Sequence, residues 1–426
     1  MAPPVIAREW SCAYTAVMGS SRDATVLLVT RTVRSFSDGF VSVLLASYLA
    51  QLGFSGVRVG AVATATLLGT AVTTLVVGAV TNRLGRRRVL FGATLLAAGT
   101  GVAFASSSDF VPVLLIAVVG TLNPTAGDVS VFLPVEQAIL PQTVAPGERT
   151  RLFARYNLVG ALAGATGALM AGVPAILHRW LGWDLLHLMR AMFMLYGALA
   201  LVNLAAYRAL TPAVESQTTT RNAPLHKSRG TVLRLSGLFA IDAFAGGFVV
   251  QSILALWLFK RYGLSIDQAA LIFFAAGIFT AFSFLVAARV AERFGLINTM
   301  VFTHLPSNIL LILVALMPNV WLAVAMLLAR QSLSQMDVPT RQSYTMAVVD
   351  EDERAAAASV TGVARSLSSA GSPVLAGALL GATTFGWPLV IAGSLKSTYD
   401  LLLLLQFRSV KPAEETVKVD AEKPRG

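Results

Sequence analysis

The chain has 426 residues; 55% are hydrophobic, only 13% are charged, and the mean hydropathy is +0.70. Soluble domains carry about 25% charged residues, so this composition excludes a soluble enzyme and a disordered regulator. Because Cys12 is the single cysteine, a disulfide scaffold is excluded as well. The formal net charge of +11 would suit a nucleic-acid ligand, but the placement of the charges along the chain favours a membrane protein.

The apolar stretches predict an all-α polytopic membrane protein with twelve transmembrane helices, because a helix needs about 20 apolar residues to cross a bilayer. In chain order the predicted spans are 26–50, 59–80, 89–107, 111–142, 153–174, 185–207, 232–259, 267–290, 297–316, 319–347, 355–380 and 384–407. Spans 4 and 10 are long and contain Pro134 and Pro339, so we expect both helices to bend or break there.

A polar loop in the middle of the chain predicts the domain organisation. We expect an N-terminal six-helix bundle (1–208), a central loop (209–231), a C-terminal six-helix bundle (232–408) and a disordered tail (409–426). The tail is charged and has no aromatic residue, which is typical of disorder.

The basic residues between the predicted spans set the orientation. Twenty Lys and Arg residues lie on the side that holds both termini and the central loop, and four lie on the other side. Cytoplasmic loops of membrane proteins carry such an excess. We therefore expect both termini in the cytoplasm, a location in the plasma (inner) membrane, contact with the lipid bilayer and no nucleic-acid partner.

The two halves also resemble each other in sequence. Pro134–Gln137 aligns with Pro339–Gln342 at an offset of 205, and Asn82–Gly85 aligns with Glu292–Gly295 at an offset of 210. Both halves hold six predicted spans, so the repeats run in the same direction. Parallel six-span repeats with a site between them are a known plan of secondary transporters.

Residues 78–87, GAVTNRLGRR, resemble the signature loop G-x-x-x-D-R-x-G-R-R of the major facilitator superfamily, and they follow span 2 as the motif does there. The resemblance implies two six-helix bundles that rock around a central site, a monomer, and a cytoplasmic gate loop formed by Gly78, Asn82, Arg83, Gly85, Arg86 and Arg87. Asn82 replaces the acidic residue of the motif. It keeps a hydrogen-bonding group but loses the charge that the family is thought to use in its gate.

Charges inside the spans are the candidate site residues, because each costs about 2.5–3.5 kcal/mol at the centre of a membrane helix. Carboxylates there can carry protons, and arginines can bind or gate a solute. We expect proton coupling at Asp38, Glu136, Asp242 and Asp337, and substrate binding or gating at Arg34, Arg341, Arg155 and Arg365. The alternative for each is a pair that only neutralises itself and fixes helix packing.

Helical spacing and the repeat suggest partners for these charges. Residues four apart share a helix face, as do Arg34 with Asp38, Asp337 with Arg341, and Lys396 with Asp400. In the alignment of the halves, Arg34 corresponds to Asp242 and Glu136 to Arg341, so opposite charges could pair across the halves. We interpret Lys396–Asp400 as a structural pair in a peripheral helix, His304 as a core histidine, and Arg31 as a residue near a span end.

No phosphate-binding G-x-x-x-x-G-K-[ST] loop, H-E-x-x-H motif, Cys/His cluster or G-x-S-x-G turn occurs, so we expect no enzymatic activity, no metal and no cofactor. We predict a secondary active transporter that exports a small solute or drug-like compound by alternating access in exchange for protons. Import or exchange of an organic or phosphate-like anion is the alternative, since five arginines lie near the presumed cavity. A membrane receptor that transports nothing is the remaining class.

Overall fold

The computed structural model describes residues 22–125, 130–144, 149–215, 225–350 and 353–408, with the side chains of 82, 149–151, 288, 292, 354 and 355 left out. The predicted disordered tail lies outside these residues. Before residue 216 the described helices are α1 (Arg22–Gln51), α2 (Gly56–Leu84), α3 (Arg86–Ser106), α4 (Phe110–Val119), α5 (Leu133–Ile139), α6 (Arg149–Met170), α7 (Val173–Leu181) and α8 (Leu185–Tyr207). Short 3₁₀ helices follow at Leu140–Gln142 and Pro212–Glu215.

After residue 224 the described helices are α9 (Arg229–Gly247), α10 (Gln251–Tyr262), α11 (Ile266–Phe294), α12 (Leu296–Leu316), α13 (Val320–Ser334), α14 (Asp337–Ala347), α15 (Arg354–Ala382) and α16 (Trp387–Phe407). Each predicted span coincides with one of these helices or with two in succession. The all-α architecture of twelve spans in two parallel six-helix repeats is therefore confirmed.

The expected breaks in spans 4 and 10 occur, but each lies before its proline. α4 ends at Val119 and Pro134 stands in the first turn of α5; likewise α13 ends at Ser334 and Pro339 stands in the first turn of α14. Proline is tolerated in the first turn of a helix, where its missing N–H would have no intrahelical partner, and the new helices begin at Leu133 and Asp337, one and two residues before the prolines. Spans 5 and 7 are also divided, which we did not predict.

Eight helical stretches in the described part of the chain are long and apolar enough to cross a membrane. Spans 1, 4, 10 and 11 are not among them. Span 1 carries central charges, spans 4 and 10 are interrupted, and span 11 is rich in alanine and serine. All four pack against other helices, which supplies the burial that their composition lacks.

Glycine is required at the matching turns of the two repeats. Gly85 joins α2 to α3 with φ of 87°, and Gly295 joins α11 to α12 with φ of 81°. A side chain is strained at such positive φ. The turn of the signature loop and its second-half echo therefore share one backbone geometry.

We call the face that holds the turn at Arg86 the basic face, and the other end of the helix bundle the opposite face. The halves meet along several pairs of helices, and two of these contact regions lie towards the opposite face. A Cβ added to Gly56 of α2 would lie 2.6 Å from the carbonyl oxygen of Gly377 in α15. The second region joins α7 to α11, where Arg179 and Asp267 form an ion pair of 3.0 Å. In the first region, the backbones of Gly56 and Gly377 come this close because neither residue has a side chain.

Candidate functional site: two buried charge clusters

The first half contains a fully buried ion pair between its first and fourth spans. Arg34 of α1 donates from Nη1 to Oε1 of Glu136 at 2.8 Å and from Nη2 to Oε2 at 2.6 Å. The restart of the chain at Pro134 places Glu136 in the first turn of α5, facing α1. The two-point geometry is the strongest that an arginine and a carboxylate can form.

Two tyrosines complete this pair. Tyr207 donates to Oε1 of Glu136 at 2.5 Å, and Tyr156 donates to Oε2. The same hydroxyl groups accept from Arg34, each at 3.2 Å, and the ring of Phe132 lies 4.8 Å from the guanidinium carbon. We call this group the Glu136 pair (Arg34, Glu136, Tyr156, Tyr207). Its two charges match each other and both carboxylate oxygens are hydrogen-bonded, whereas the buried Nε of Arg34 has no hydrogen-bond partner among the described residues.

Asp38 lies one helical turn from Arg34 but does not pair with it, because Arg34 is committed to Glu136. The Asp38 side chain is buried, with 2% of its surface exposed, and the amide of Asn123 lies within hydrogen-bonding reach. Among the described residues it forms no ion pair within 4 Å. Asp38 is thus a buried carboxylate near two arginines, Arg31 and Arg34, and in the described part of the chain no cation contacts it directly.

Arg31 does not extend to the surface as we expected. It is 8% exposed, its guanidinium carbon lies 5.0 Å from the centre of the Tyr156 ring, and α6 passes it at Gly160. A Cβ on Gly160 would lie 2.5 Å from Nε of Arg31, so glycine makes room for this side chain. Arg155 is half-buried on the same helix, one residue before Tyr156.

The second half contains a carboxylate that several cations share. Asp242 of α9 accepts from Lys396 at 2.5 Å and from Arg365 at 2.9 Å, and Arg341 lies at 3.4 Å. Arg341 is bound more closely by Asp337, at 2.6 Å, within α14. We call this group the Asp242 cluster (Asp242, Asp337, Arg341, Arg365, Lys396). The Arg365 side chain is 30% exposed, whereas those of Asp242 and Lys396 are 4% and 10% exposed.

The predicted pair of Lys396 with Asp400 is wrong. Lys396 reaches across to Asp242, and Asp400 is bound by His304 at 2.9 Å and by Asn308 at 2.8 Å. Sequence spacing identified the shared face of span 12 but not the neighbouring helices, which offer both side chains closer partners. Lys396 therefore joins the candidate site, although we had assigned it a structural role.

Pairing across the halves is also wrong. Arg34 pairs with Glu136 inside the first half, and Asp242 contacts Arg341 inside the second. These are corresponding positions of the repeat with the charges exchanged: the cation is on the first span in one half and on the fourth span in the other. The repeat brings these two positions together within each bundle, so the exchange of signs preserves both contacts.

The signature turn is tied to the chain that follows α8. Glu215 accepts from the backbone N–H groups of Arg86 and Arg87 at 2.7 and 2.9 Å, and Arg86 donates to Gln142 and to the carbonyl of Val214, each at 2.9 Å. Of the other predicted gate residues, Arg83 is exposed, a Cβ on Gly78 would meet open space, and the side chain of Asn82 lies outside the described residues. We did not predict Glu215, since only its position at a helix N-terminus reveals its role.

Glu353 binds the start of α9 in a similar manner. Its carboxylate accepts from the backbone N–H groups of His226, Lys227 and Ser228 at 2.7, 2.9 and 2.9 Å. These hydrogen bonds stabilise the charged form and lower the pKa of Glu353 to about 2. Each end of the central loop is thus attached by a glutamate, one to each half.

The described residues hold no group of three or more His, Cys, Asp and Glu side chains placed to bind a metal ion. What the two clusters offer chemically is buried charge: carboxylates that can take up protons, and cations that can bind negatively charged or hydrogen-bonding groups.

Comparison with known proteins gives a family. The model of the family described as Major Facilitator Superfamily matches residues 27–373, and it matches again over residues 243–424. A protein of Saccharomyces cerevisiae, described as an uncharacterized membrane protein, is 23% identical over 445 residues, which cover 96% of this chain and 98% of the yeast protein.

Solved structures with the same fold include three transporters. The nucleoside transporter NupG is 15% identical with a TM-score of 0.66, covering 90% of this chain and 99% of its own. A bacterial homologue of the human lysosomal transporter Spinster, inward-facing and occupied, is 16% identical with a TM-score of 0.70, covering 91% and 96%. The xylose transporter XylE from E. coli is 15% identical with a TM-score of 0.68, covering 92% and 99%. At these identities the likeness concerns the fold.

Proposed function

The chain belongs to the major facilitator superfamily, and on that premise we propose that it exports a small solute in exchange for protons. It is a multi-pass membrane protein with the fold of a transporter, which works by exposing a central site to each side in turn. We propose a role in transport rather than in catalysis.

The observation that carries the proposal is the setting of Asp38. Its carboxylate is buried and has no cation in direct contact among the described residues, although Arg34 and Arg31 are near. Burying such a charge is costly unless a proton or a ligand compensates it. If Asp38 holds either a proton or a donor group of the solute, but not both, the two must cross in opposite directions. This mutual exclusion is the physical condition for antiport.

The other predicted proton carriers are less suited to that role. Glu136 is held by Arg34 and two tyrosines, so a proton would have to displace strong hydrogen bonds. Asp242 is surrounded by cations, and Asp337 is bound by Arg341. We therefore propose Asp38 as the proton-carrying group and the partly exposed Asp242 cluster as the place where the solute contacts the second half.

The excess of positive charge on one face supports an orientation of the protein in the membrane. We propose that the basic face is cytoplasmic, in a plasma (inner) membrane, because cytoplasmic turns carry the excess of Lys and Arg. The contacts at Gly56 and Gly377 then hold the halves together on the external side. We propose that the protein acts as a monomer, with the bilayer, protons and the solute as its partners.

Transport of an organic anion is the second candidate. The Asp242 cluster contains three cations and two carboxylates, and the most exposed member is Arg365. An anionic group of a solute could replace Asp242 as the partner of Arg365. In that case Arg365→Gln should abolish transport of anions and leave transport of cations intact.

Everted membrane vesicles with an acidic lumen and a pH-sensitive dye test the proposal. We expect a compound from a panel of cations, neutral molecules and anions to discharge the gradient with the natural protein but not with Asp38→Asn. Asp109→Asn, at an exposed position before α4, is the matched control and should behave as the natural protein does. If Asp38→Asn discharges the gradient normally, antiport through Asp38 is wrong.

A further inference from the structure

A second buried titratable group lies between α12 and α16, away from Asp38. His304 Nδ1 lies 2.9 Å from Oδ1 of Asp400, and Asn308 donates to Oδ2 of Asp400 at 2.8 Å. The side chains of His304 and Asp400 are 4% and 1% exposed. Histidine changes its charge between pH 5 and 8 more readily than any other side chain. Because both side chains are buried, gain or loss of a proton by His304 would decide whether the charge of Asp400 is balanced.

Lys396 links this pair to the Asp242 cluster. It lies one turn before Asp400 on α16, yet its ammonium group binds Asp242 of α9 at 2.5 Å. A single lysine thus has two carboxylates within its range and binds one of them. Asp400 is left with His304 and Asn308 as its hydrogen-bonding partners in the described chain.

The helices packed against α12 and α16 carry other charged and titratable groups. The ring of Tyr399 on α16 lies 6.1 Å from His304, and Asp242 on α9 is near enough to interact with His304 electrostatically. α14 contributes Asp337 and Arg341, α15 contributes Arg365, and α13 contributes Arg330. All three cations of the Asp242 cluster are held by its carboxylates, and among them Lys396 is the one that shares a helix with Asp400.

We propose that His304 and Asp400 form a second proton-binding site that controls the Asp242 cluster through Lys396. With Nδ1–H donated to Asp400, the other ring nitrogen, Nε2, is the atom that takes the proton. The protonated imidazole then balances Asp400, and Lys396 stays on Asp242. When the proton leaves, Asp400 is the uncompensated charge, it attracts Lys396, and Asp242 and Arg365 become available to the solute. This consequence for transport rests on the proposed function, whereas proton binding by the pair does not.

The test is a titration of the histidines in the purified full-length protein by nuclear magnetic resonance, with ¹³C-labelled histidine in detergent micelles. The chain has four histidines, and the signal of His304 is assigned by its loss in His304→Gln. A proton site at His304 requires its signal to change as the pH crosses the range of about 5 to 8 in which histidine side chains change charge. His187, exposed beside Asp184, serves as the internal reference.

Coupling to the cluster is tested by variants that should act in opposite directions. Asp242→Asn removes a negative charge and should move the titration midpoint of His304 to lower pH. Lys396→Gln removes a positive charge and should move it to higher pH, each by roughly half a pH unit or more. Asp267→Asn, on the opposite face, is the control and should leave the midpoint unchanged. If either buried variant fails to fold, Arg365→Gln takes its place. It removes a partly exposed cation beside Asp242 and should also move the His304 midpoint to higher pH.

A His304 signal that does not titrate would overturn the proton site. A titration that none of these variants moves would overturn the coupling through Lys396. Neither result depends on transport, so the antiport proposal and this one can fail separately.

Discussion

The Glu136 pair of the first half and the Asp242 cluster of the second half occupy corresponding places in the repeat and differ in how their charges are satisfied. One arginine and one carboxylate meet at two points in the first half, and two tyrosines complete them. In the second half one carboxylate is shared by three cations at 2.5 to 3.4 Å, and one of these is 30% exposed.

This difference in how the charges are satisfied indicates different roles for the two groups: one stabilises its bundle, and the other can exchange ionic partners. A buried, fully matched pair is expensive to open, because either partner alone would be an uncompensated charge. A carboxylate with more cations than it can neutralise can lose one to a solute or a proton at lower cost. We therefore infer that the Glu136 pair holds the first bundle together, while the Asp242 cluster is the part that changes partners during transport.

The largest effect should come from Glu136→Gln. It leaves Arg34 buried without a counter-charge, which costs about 3–5 kcal/mol, and we expect loss of folded protein measured by thermal unfolding and size-exclusion chromatography in detergent. Replacing both partners, Arg34→Met with Glu136→Leu, should be less destabilising than Glu136→Gln alone, because no charge stays buried. Equal losses in the single and double variants would contradict the view of a matched pair.

Asp242→Asn should destabilise less and impair transport more. The three cations lose their carboxylate, but Asp337 still binds Arg341 and Arg365 can turn to water, so we expect about 1–3 kcal/mol. The same thermal measurement gives the stability, and vesicle assays give the transport. If Asp242→Asn unfolds the protein as severely as Glu136→Gln does, the two halves do not differ as we infer.

Arg365→Gln should sharpen the comparison at small structural cost. Because the side chain is partly exposed, we expect a loss below about 1 kcal/mol. Transport should nevertheless fall by about tenfold, the equivalent of roughly 1.4 kcal/mol in affinity. The control is Arg179→Gln, an exposed ion-pair residue at the opposite face. Unchanged uptake and affinity in Arg365→Gln would remove this arginine from the solute site.

The smallest effect concerns the glutamates that attach the central loop. The pKa of Glu353 is lowered to about 2 from an unfolded value of about 4.3. Its contribution to stability is therefore complete above about pH 4.3 and is lost as the pH falls towards 2. We expect Glu353→Gln to lower the melting temperature slightly at pH 7. The difference in melting temperature from the natural protein should decrease as the pH is lowered. A gap that widens in acid would contradict this sign.

Much of the fold followed from local patterns. Apolar length predicted the twelve spans, and the turn at Gly85 and its echo at Gly295 predicted the repeat. Pro134 and Pro339 predicted two interruptions, but not that the breaks precede the prolines, and the divisions of spans 5 and 7 had no comparable signal. The candidate charges were identified because charged residues are rare and costly in a membrane helix.

The partners of those charges were the part that local patterns could not supply. Spacing of four residues predicted Lys396 with Asp400, but Lys396 binds Asp242, 154 positions away in the chain. The sequence did not reveal which groups Glu215 and Glu353 bind, because their partners are backbone N–H groups, which every residue except proline carries.

The sequence by itself determined the membrane architecture, the family and the inventory of buried charge, since these depend on composition, period and spacing along one helix. Only the tertiary structure decided that the charges at corresponding repeat positions pair inside each half and that His304 contacts Asp400. It also decided that the Glu136 pair is buried, whereas one cation of the Asp242 cluster is partly exposed. The physical reason is that a buried charge takes the strongest partner within about 3–4 Å, and which helices come that close is set by packing rather than by sequence separation.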